Sequence, residues 1–245
     1  MDLGIAEKVA LVTASSKGLG RASAEALAAE GARVVICART EETLRQTESA
    51  IAAAGGDVHA VVADITDPGA PARMVRETVE RFGTIDILVP NAGGPPAGGA
   101  FDITDEQIAA AVNANATTSI RLVREAAPLM QASGWGRICC ITSWSIKQPM
   151  RNLALSNLAR TGLWAWVKTA APELFPSGIT LNVVCPGGHA TDRMIQLGRG
   201  DAQAAEGLGD PGDFGRIVAF LCSQAAGYLS GTAVMVDGAA SVGLL

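Results

Sequence analysis

A run of small residues at positions 13–20, Thr-Ala-Ser-Ser-Lys-Gly-Leu-Gly, links the first apolar segment to a segment typical of a helix. Small side chains at such a turn let a pyrophosphate approach the backbone, and the start of the helix offers unpaired N–H groups with a partial positive charge. The full G-x-G-x-x-G pattern is absent, so the prediction of a dinucleotide site rests on the position of the run. The alternative is a tight turn that binds no ligand.

A cation follows the second apolar segment, where dinucleotide-binding folds commonly have an acid for the ribose 2′-hydroxyl. The segment ends in Ile-Cys-Ala-Arg-Thr at positions 36–40, so Arg39 lies where a 2′-phosphate would lie. Lys17 in the glycine turn can reach the same phosphate. Because a guanidinium binds phosphate through paired hydrogen bonds, we predict NADP(H) over NAD(H). The alternative is a pair of solvated cations that gives no preference.

The segments that must position these residues alternate between β-branched runs and runs rich in Ala, Leu and Glu. The β-branched runs are apolar at successive positions, which is typical of parallel strands covered by helices on both faces. With right-handed crossovers they predict an α/β fold with one doubly wound, Rossmann-like sheet, whose ligands bind beyond the carboxyl ends of the strands. The predicted strands are 8–14, 33–38, 58–64, 85–89, 137–142, 179–185 and 233–236. The predicted helices are 19–30, 41–54, 68–82, 105–133 as one or two helices, and 153–175.

The composition bounds the class of protein. The 245 residues are 49% hydrophobic and 18% charged, without a linker or repeat, so a single domain over 1–245 is expected. The net charge of −5 and the lack of a basic block argue against nucleic acid or an anionic membrane as partner. No apolar stretch reaches the ~18 residues of a membrane span. The N terminus does not resemble a secretory signal, and we expect a cytoplasmic protein.

Cysteine and histidine spacing argues against a metal site. The two histidines, His59 and His189, form no H-x-x-H or H-x-x-x-H pair. The odd number of cysteines, without a C-x-x-C motif, predicts reduced and buried thiols. The cysteines are Cys37, Cys139, Cys140, Cys185 and Cys222.

Together with the glycine turn, six further motifs resemble the short-chain dehydrogenase/reductase family in order and spacing. They are Ala-Asp-Ile at 63–65, Asn-Ala-Gly at 91–93, Asn115, Gly-Arg-Ile to Ser at 136–143, Pro-Gly to Thr at 186–191, and Val-Asp-Gly at 236–238. The resemblance covers nearly the whole chain. It implies a seven-stranded parallel sheet in the order 3-2-1-4-5-6-7 and a homodimer or homotetramer.

The same resemblance implies the cofactor contacts. The turn would hold the pyrophosphate, the residues after the third strand would border the adenine, and the Pro-Gly motif would face the nicotinamide amide and the phosphates. The predicted cofactor-binding residues are Thr13, Ser15, Ser16, Lys17, Gly18, Leu19, Gly20, Arg39, Asp64, Ile65, Asn91, Ala92, Gly93, Arg160, Pro186, Gly187, Gly188 and Thr191.

One departure from the family pattern lies in the turn, where Ala14 replaces a usual glycine. If that position has a positive φ, its Cβ costs on the order of 1 kcal/mol. We expect weaker cofactor binding at most.

A larger departure affects the catalytic residues. The family's reductases carry a Ser, a Tyr thirteen residues later and a Lys four residues beyond; the Tyr exchanges the substrate proton, and the Lys lowers its pKa and holds the nicotinamide ribose. Counted from Ser143, these positions are Ser156 and Arg160, and the only tyrosine is Tyr228. An aliphatic hydroxyl is a poor general acid, and losing such an acid slows a reaction ~10²–10⁴-fold. Asn115 resembles the family's helix-kink asparagine, which holds a water leading to the Lys.

Three other residues are candidates for the missing proton donor. His189 follows the Pro-Gly motif, and a histidine titrates near neutrality; the alternative is a loop residue bonded to the backbone. Lys147 and Cys185 are further candidates. The alternatives are that Lys147 is a solvated surface lysine and that the Cys185 thiol is packed in the core. Trp144 can face a substrate or pack. Residues 192–209 are poor in bulky apolar side chains, which predicts a small or mobile cover over an open site.

Two functions remain open from the sequence. The leading hypothesis is an NADP(H)-dependent oxidoreductase that interconverts a small-molecule carbonyl and an alcohol with a non-standard proton donor, Ser143 supplying hydrogen bonds together with a water. The alternative is a cofactor-binding protein without net redox chemistry: a lyase, isomerase or dehydratase, or a catalytically silent subunit.

Overall fold

Seven parallel strands form one sheet in the order β3-β2-β1-β4-β5-β6-β7, as the resemblance implied. The computed structural model describes residues 1–197 and 207–243. The strands are β1 Val9–Val12, β2 Arg33–Ala38, β3 Val58–Val62, β4 Ile87–Val89, β5 Gly136–Ile141, β6 Ile179–Pro186 and β7 Ala233–Val236. The order reverses beside β1, so the crevice expected for a ligand lies between β1 and β4.

The helices cover both faces of the sheet. They are α1 Gly18–Ala29, α2 Glu41–Ala53, α3 Ala70–Phe82, α4 Asp105–Val112, α5 Thr118–Ser133, α6 Ala154–Leu174, α7 Asp192–Gln196 and α8 Pro211–Leu221. The predicted helix 105–133 is divided, because a π-helical turn at Asn113–Thr117 joins α4 to α5. The sequence analysis missed α7 and α8. Asp210 caps the N terminus of α8, and its carboxylate accepts a hydrogen bond from the Asp213 N–H at 3.0 Å.

Successive strand residues bury their side chains on opposite faces of the sheet. Val34 belongs to the apolar cluster that contains Leu27 of α1 and Phe214 of α8, whereas Val35 belongs to the other cluster, which contains Met74 of α3. The two-sided burial explains why the strands are apolar at consecutive positions.

The five cysteines are all buried and free, as the sequence predicted. Within residues 1–197 and 207–243, no helix has both the length and the apolarity that a membrane crossing requires.

Candidate active site

A cleft of about 690 Å³ opens at the carboxyl edge of the sheet, where the fold predicts a ligand. Its walls come from the segments that follow β1 to β6 and from the start of α6. The cleft therefore brings the glycine turn together with the segment that carries Ser143, Ser156 and Arg160.

The glycine turn has two left-handed residues, Ala14 with φ 46° and Gly18 with φ 56°. Helix α1 begins at Gly18, and no side chain of the described residues caps its first turn. Its first N–H groups are therefore left for a ligand, since the first four N–H groups of a helix lack partners within it. Ser16, Lys17, Gly18 and Leu19 line the cleft beside them.

Three residues of the predicted cofactor set lie beneath the turn and are not part of the cleft lining. The Ser15 hydroxyl donates to the Val12 carbonyl at 2.8 Å and accepts from the Cys37 N–H at 3.0 Å. The Thr13 hydroxyl donates to the Asn91 carbonyl and accepts from the Asn91 N–H, both at 2.8 Å. A Cβ on Gly20 would lie 2.5 Å from the Ala14 oxygen. Thr13, Ser15 and Gly20 therefore shape the turn from below, and their contact with a cofactor stays a prediction.

Both cations predicted to bind phosphate line the cleft, and each has a carboxylate partner. The guanidinium of Arg39 lies 3.8 Å from Asp64, and the Lys17 ammonium lies 3.5 Å from Asp192. Asp64 also accepts hydrogen bonds from the N–H and the hydroxyl of Thr66, which lower its pKa. All four charged side chains are largely solvent-exposed, so a phosphate can compete for either cation.

The middle of the cleft is framed by the remaining cofactor residues. Asn91 donates from Nδ2 to the Ala14 carbonyl at 3.1 Å, which connects the end of β4 to the turn after β1. The lining residues in this region are Ile65, Asn91, Ala92, Gly93, Pro186, Gly187, Gly188 and Thr191.

Ser143 and Arg160 meet at the end of β5. The Ser143 oxygen accepts the Ser145 N–H at 3.1 Å, so its own hydrogen is available to a group in the cleft. Arg160 is buried and donates from Nη1 to the Thr142 carbonyl. Burial, with a smaller contribution from the charge of Arg193, lowers the pKa of Arg160 to about 10, so it is a cation at neutral pH. Its Nε has no hydrogen-bond partner within the described chain.

Ser156 lies one helical turn before Arg160 on α6 and also lines the cleft, with 6% of its surface exposed. Asn115 does not line the cleft. It lies in the π-helical turn, donates from Nδ2 to the Ala111 carbonyl at 3.3 Å, and has a buried Oδ1 without a partner in the part of the chain that the structure describes. It thus lies behind the site, and the water-holding role that the resemblance implies for it stays a prediction.

The other candidate proton donors are poorly arranged. His189 lines the cleft, but its Nδ1 lies 3.3 Å from the Gly187 carbonyl and its ring packs edge-on against Phe214. Because a carbonyl only accepts, Nδ1 carries the hydrogen and Nε2 has none in the neutral ring. Burial lowers the pKa of His189, which keeps the ring neutral. Lys147 and Cys185 lie outside the lining, and burial raises the pKa of Cys185 to about 11.

Two further side chains line the cleft. Trp144 is the first, as expected if its ring faces a substrate. Tyr228, by contrast, is 91% exposed and lies outside the cleft. Arg193 on α7 was missed by the sequence analysis, although its place two residues after Thr191 is a signal that could have indicated it. Of the predicted cover over 192–209, residues 198–206 lie outside the described residues.

Comparison with known proteins adds an independent observation. A family model described as enoyl-(acyl carrier protein) reductase matches residues 13–241. Dehydrogenase/reductase SDR family member 4 of Homo sapiens is 32% identical over 243 residues, covering 96% of this chain and 87% of that protein. YwfH, an NADPH-dependent reductase involved in bacilysin biosynthesis, has a TM-score of 0.92 at 25% identity over 98% of this chain and 100% of its own. L-Sorbose reductase of Gluconobacter frateurii, in complex with NADPH and L-sorbose, has a TM-score of 0.91 at 30% identity over 97% and 98% of the two chains.

Proposed function

Because the chain belongs to the short-chain dehydrogenase/reductase family, we propose that it is an NADP(H)-dependent oxidoreductase that interconverts a carbonyl and an alcohol without the usual tyrosine. One observation supports this most strongly. A single cleft is lined both by the uncapped start of α1 and by Ser143, Ser156 and Arg160. A binding place for a dinucleotide and a set of hydrogen-bond donors for a carbonyl oxygen therefore adjoin each other.

The residues present fit NADP(H). The open N–H groups at Gly18 and the small side chains of the turn suit a pyrophosphate, and Arg39 suits the 2′-phosphate. Arg160 would hold the nicotinamide ribose in place of a lysine, and Thr191 would contact the carboxamide. When bound, the reduced cofactor supplies the hydride that the reaction requires.

The protein's own side chains then act on the substrate oxygen. The Ser143 hydroxyl donates a hydrogen bond to it, and the fixed charge of Arg160 stabilises the negative charge that develops there. The proton that completes the alcohol comes from water held at the Ser156 hydroxyl. Neither serine is acidic enough to replace a tuned phenol, so we expect turnover slower by ~10²–10⁴-fold than with a tyrosine.

Stereospecific transfer of deuterium tests the redox activity. NADPH labelled at C4 is incubated with a broad panel of ketones, and the alcohols are analysed by mass spectrometry; we expect label from one face only at the former carbonyl carbon. Titration of NADPH fluorescence measures binding separately. Failure to bind NADPH at millimolar levels would contradict the proposal at its first step.

The second candidate is a cofactor-binding protein without net redox chemistry, which the Ser156 and Arg160 pair favours. The double variant Ser156→Tyr with Arg160→Lys tests it, with Ser156→Phe plus Arg160→Lys as the control of equal bulk. If only the tyrosine variant reduces a generic ketone while the parent binds NADPH and reduces none, the second candidate is correct. If the parent reduces a ketone, it is excluded.

The assembly, which the family resemblance implies, and the location, which the N-terminal sequence and the cysteines predict, both stay predictions. We expect a homodimer or homotetramer in the cytoplasm, and light scattering coupled to size-exclusion chromatography distinguishes the two assemblies.

A further inference from the structure

The cleft carries an excess of positive charge although the chain as a whole has a net charge of −5. Among residues 1–197 and 207–243, its lining includes four cations and two carboxylates. The carboxylates are already matched, Asp64 with Arg39 and Asp192 with Lys17. Arg160 and Arg193 remain, and neither has a carboxylate partner among residues 1–197 and 207–243.

Arg193 is held in place by uncharged groups. Its Nη2 donates to the Pro95 carbonyl at 2.6 Å across 98 residues of sequence. A Cβ built on Gly94 would lie 2.8 Å from Nε and 2.9 Å from both Cζ and Nη2. Such nearly equal distances mean that Gly94 lies over the flat face of the guanidinium. Within the part of the chain that the structure describes, the guanidinium makes no hydrogen bond besides the one to Pro95.

The two guanidiniums also affect each other. Burial lowers the pKa of Arg193, and the charge of Arg193 contributes to the lowered pKa of Arg160. A like-charged pair that is partly removed from water is unfavourable unless an anion offsets it. Arg160 is engaged at the Thr142 carbonyl, whereas Arg193 uses one of its five N–H donors in the bond to Pro95.

We propose that the substrate is a keto acid, or the corresponding hydroxy acid, whose carboxylate binds to the edge of Arg193. The assignment rests on the proposed function, since it names the substrate class of the same cleft. A carboxylate matches the planar fork of a guanidinium through two parallel hydrogen bonds, and it offsets the charge of Arg160 as well. The ketone carbon next to the acid then lies toward Ser143.

Three probes that share one ketone test this class: benzoylformate, its methyl ester and its amide. Binding of each to the complex of the protein with NADP⁺, in which no hydride can be transferred, is measured by calorimetry. We expect benzoylformate to bind at least about tenfold more tightly than the ester or the amide, as a charge-assisted hydrogen bond would give. Pyruvate, a smaller keto acid, covers the case in which the phenyl ring does not fit.

Variants locate the recognition. Arg193→Gln removes the charge, and Gly94→Ala displaces the guanidinium without removing it; both should abolish the preference for the acid and leave the affinity for the ester unchanged. Arg76→Gln removes an exposed arginine on α3 and should change nothing. The affinity for NADPH should stay the same in all of them.

Three results would overturn the assignment: equal affinity for acid and ester, a preference that survives Arg193→Gln, or no binding of either keto acid up to about 10 mM. A loss of NADPH affinity in Arg193→Gln equal to the loss for benzoylformate would mean that Arg193 holds the cofactor instead. The proposed function fails separately, because it fails only if NADPH does not bind or transfers no hydride.

Discussion

Arg160 donates from Nη1 to the backbone carbonyl of Thr142, the residue immediately before Ser143. The segment that orients the Ser143 hydroxyl thus also fixes the guanidinium. In the proposed reaction, a substrate oxygen that accepts a hydrogen bond from Ser143 would therefore meet a positive charge that is already held in place. This preorganisation offsets part of what a missing phenol would supply.

Replacing Ala14 by glycine should stabilise the protein. Ala14 has φ 46°, a region that costs a residue with a Cβ on the order of 1 kcal/mol. We expect Ala14→Gly to raise the free energy of unfolding by about that amount and the Tm by about 2–4 °C, as scanning calorimetry would measure. Ala165→Gly, at an exposed position within α6, should have the opposite sign. Destabilisation by both changes would contradict the strain at Ala14.

Gly20→Ala should damage the turn. The new Cβ would lie 2.5 Å from the Ala14 oxygen and 2.6 Å from Asn91 Nδ2, so the hydrogen bond between these two groups must break or the turn must move. We expect a loss of about 1–3 kcal/mol in stability and a weaker affinity for NADPH. Gly162→Ala is the matched control, because its Cβ meets no atom within 4 Å in α6 and should stabilise the helix slightly. An unchanged NADPH affinity in Gly20→Ala would argue against a cofactor at this turn.

Arg39→Gln should lower the preference for NADPH over NADH and should not weaken the binding of both dinucleotides alike. Without the guanidinium, a 2′-phosphate loses its cation and meets Asp64, which lies 3.8 Å from Arg39 in the parent. We expect roughly tenfold weaker binding of NADPH and unchanged binding of NADH in fluorescence titrations. Arg45→Gln on α2 removes an exposed arginine that does not line the cleft and serves as the control. Equal losses for both dinucleotides would mean that Arg39 is not selective.

The buried His189 should make stability depend on pH. Burial lowers its pKa, so the unfolded chain binds the proton more readily than the folded protein does. Stability is therefore complete above the unfolded pKa of about 6.5 and falls as the pH decreases toward the folded value. Urea unfolding at several pH values should show a smaller loss in His189→Gln than in the parent. His59→Gln, which removes the other histidine, is the control, and an equal effect of the two variants would contradict this assignment.

The fold and the location of the cleft follow from local features of the sequence. Val34 and Val35 are both apolar and pack on opposite faces, so the pattern of a parallel sheet is readable without any long-range information. The same applies to Gly18, because a strand, a turn and a helix are adjacent along the chain. Arg39 and Lys17 could likewise be placed beside the cleft from their positions alone.

The remaining site required three-dimensional packing. Ser15 and Ser16 are neighbours of the same type, and only the structure distinguishes the one bonded to Cys37 from the one that lines the cleft. Arg193 depends on Pro95, which is 98 residues away, and no local signal indicates such a contact. Strand β1 is shorter than the predicted 8–14, because the residues after Val12 leave the sheet to form the turn.

The ion pair between Lys17 and Asp192 spans the mouth of the cleft and joins the glycine turn to the helix that carries Arg193. A phosphate that attracts Lys17 must compete with Asp192 for it. If a phosphate binds Lys17, Asp192 loses its partner, and its negative charge then acts on the neighbouring Arg193. The two ends of the cleft are therefore not independent binding sites, because a ligand at one end changes the charge that a second ligand meets at the other.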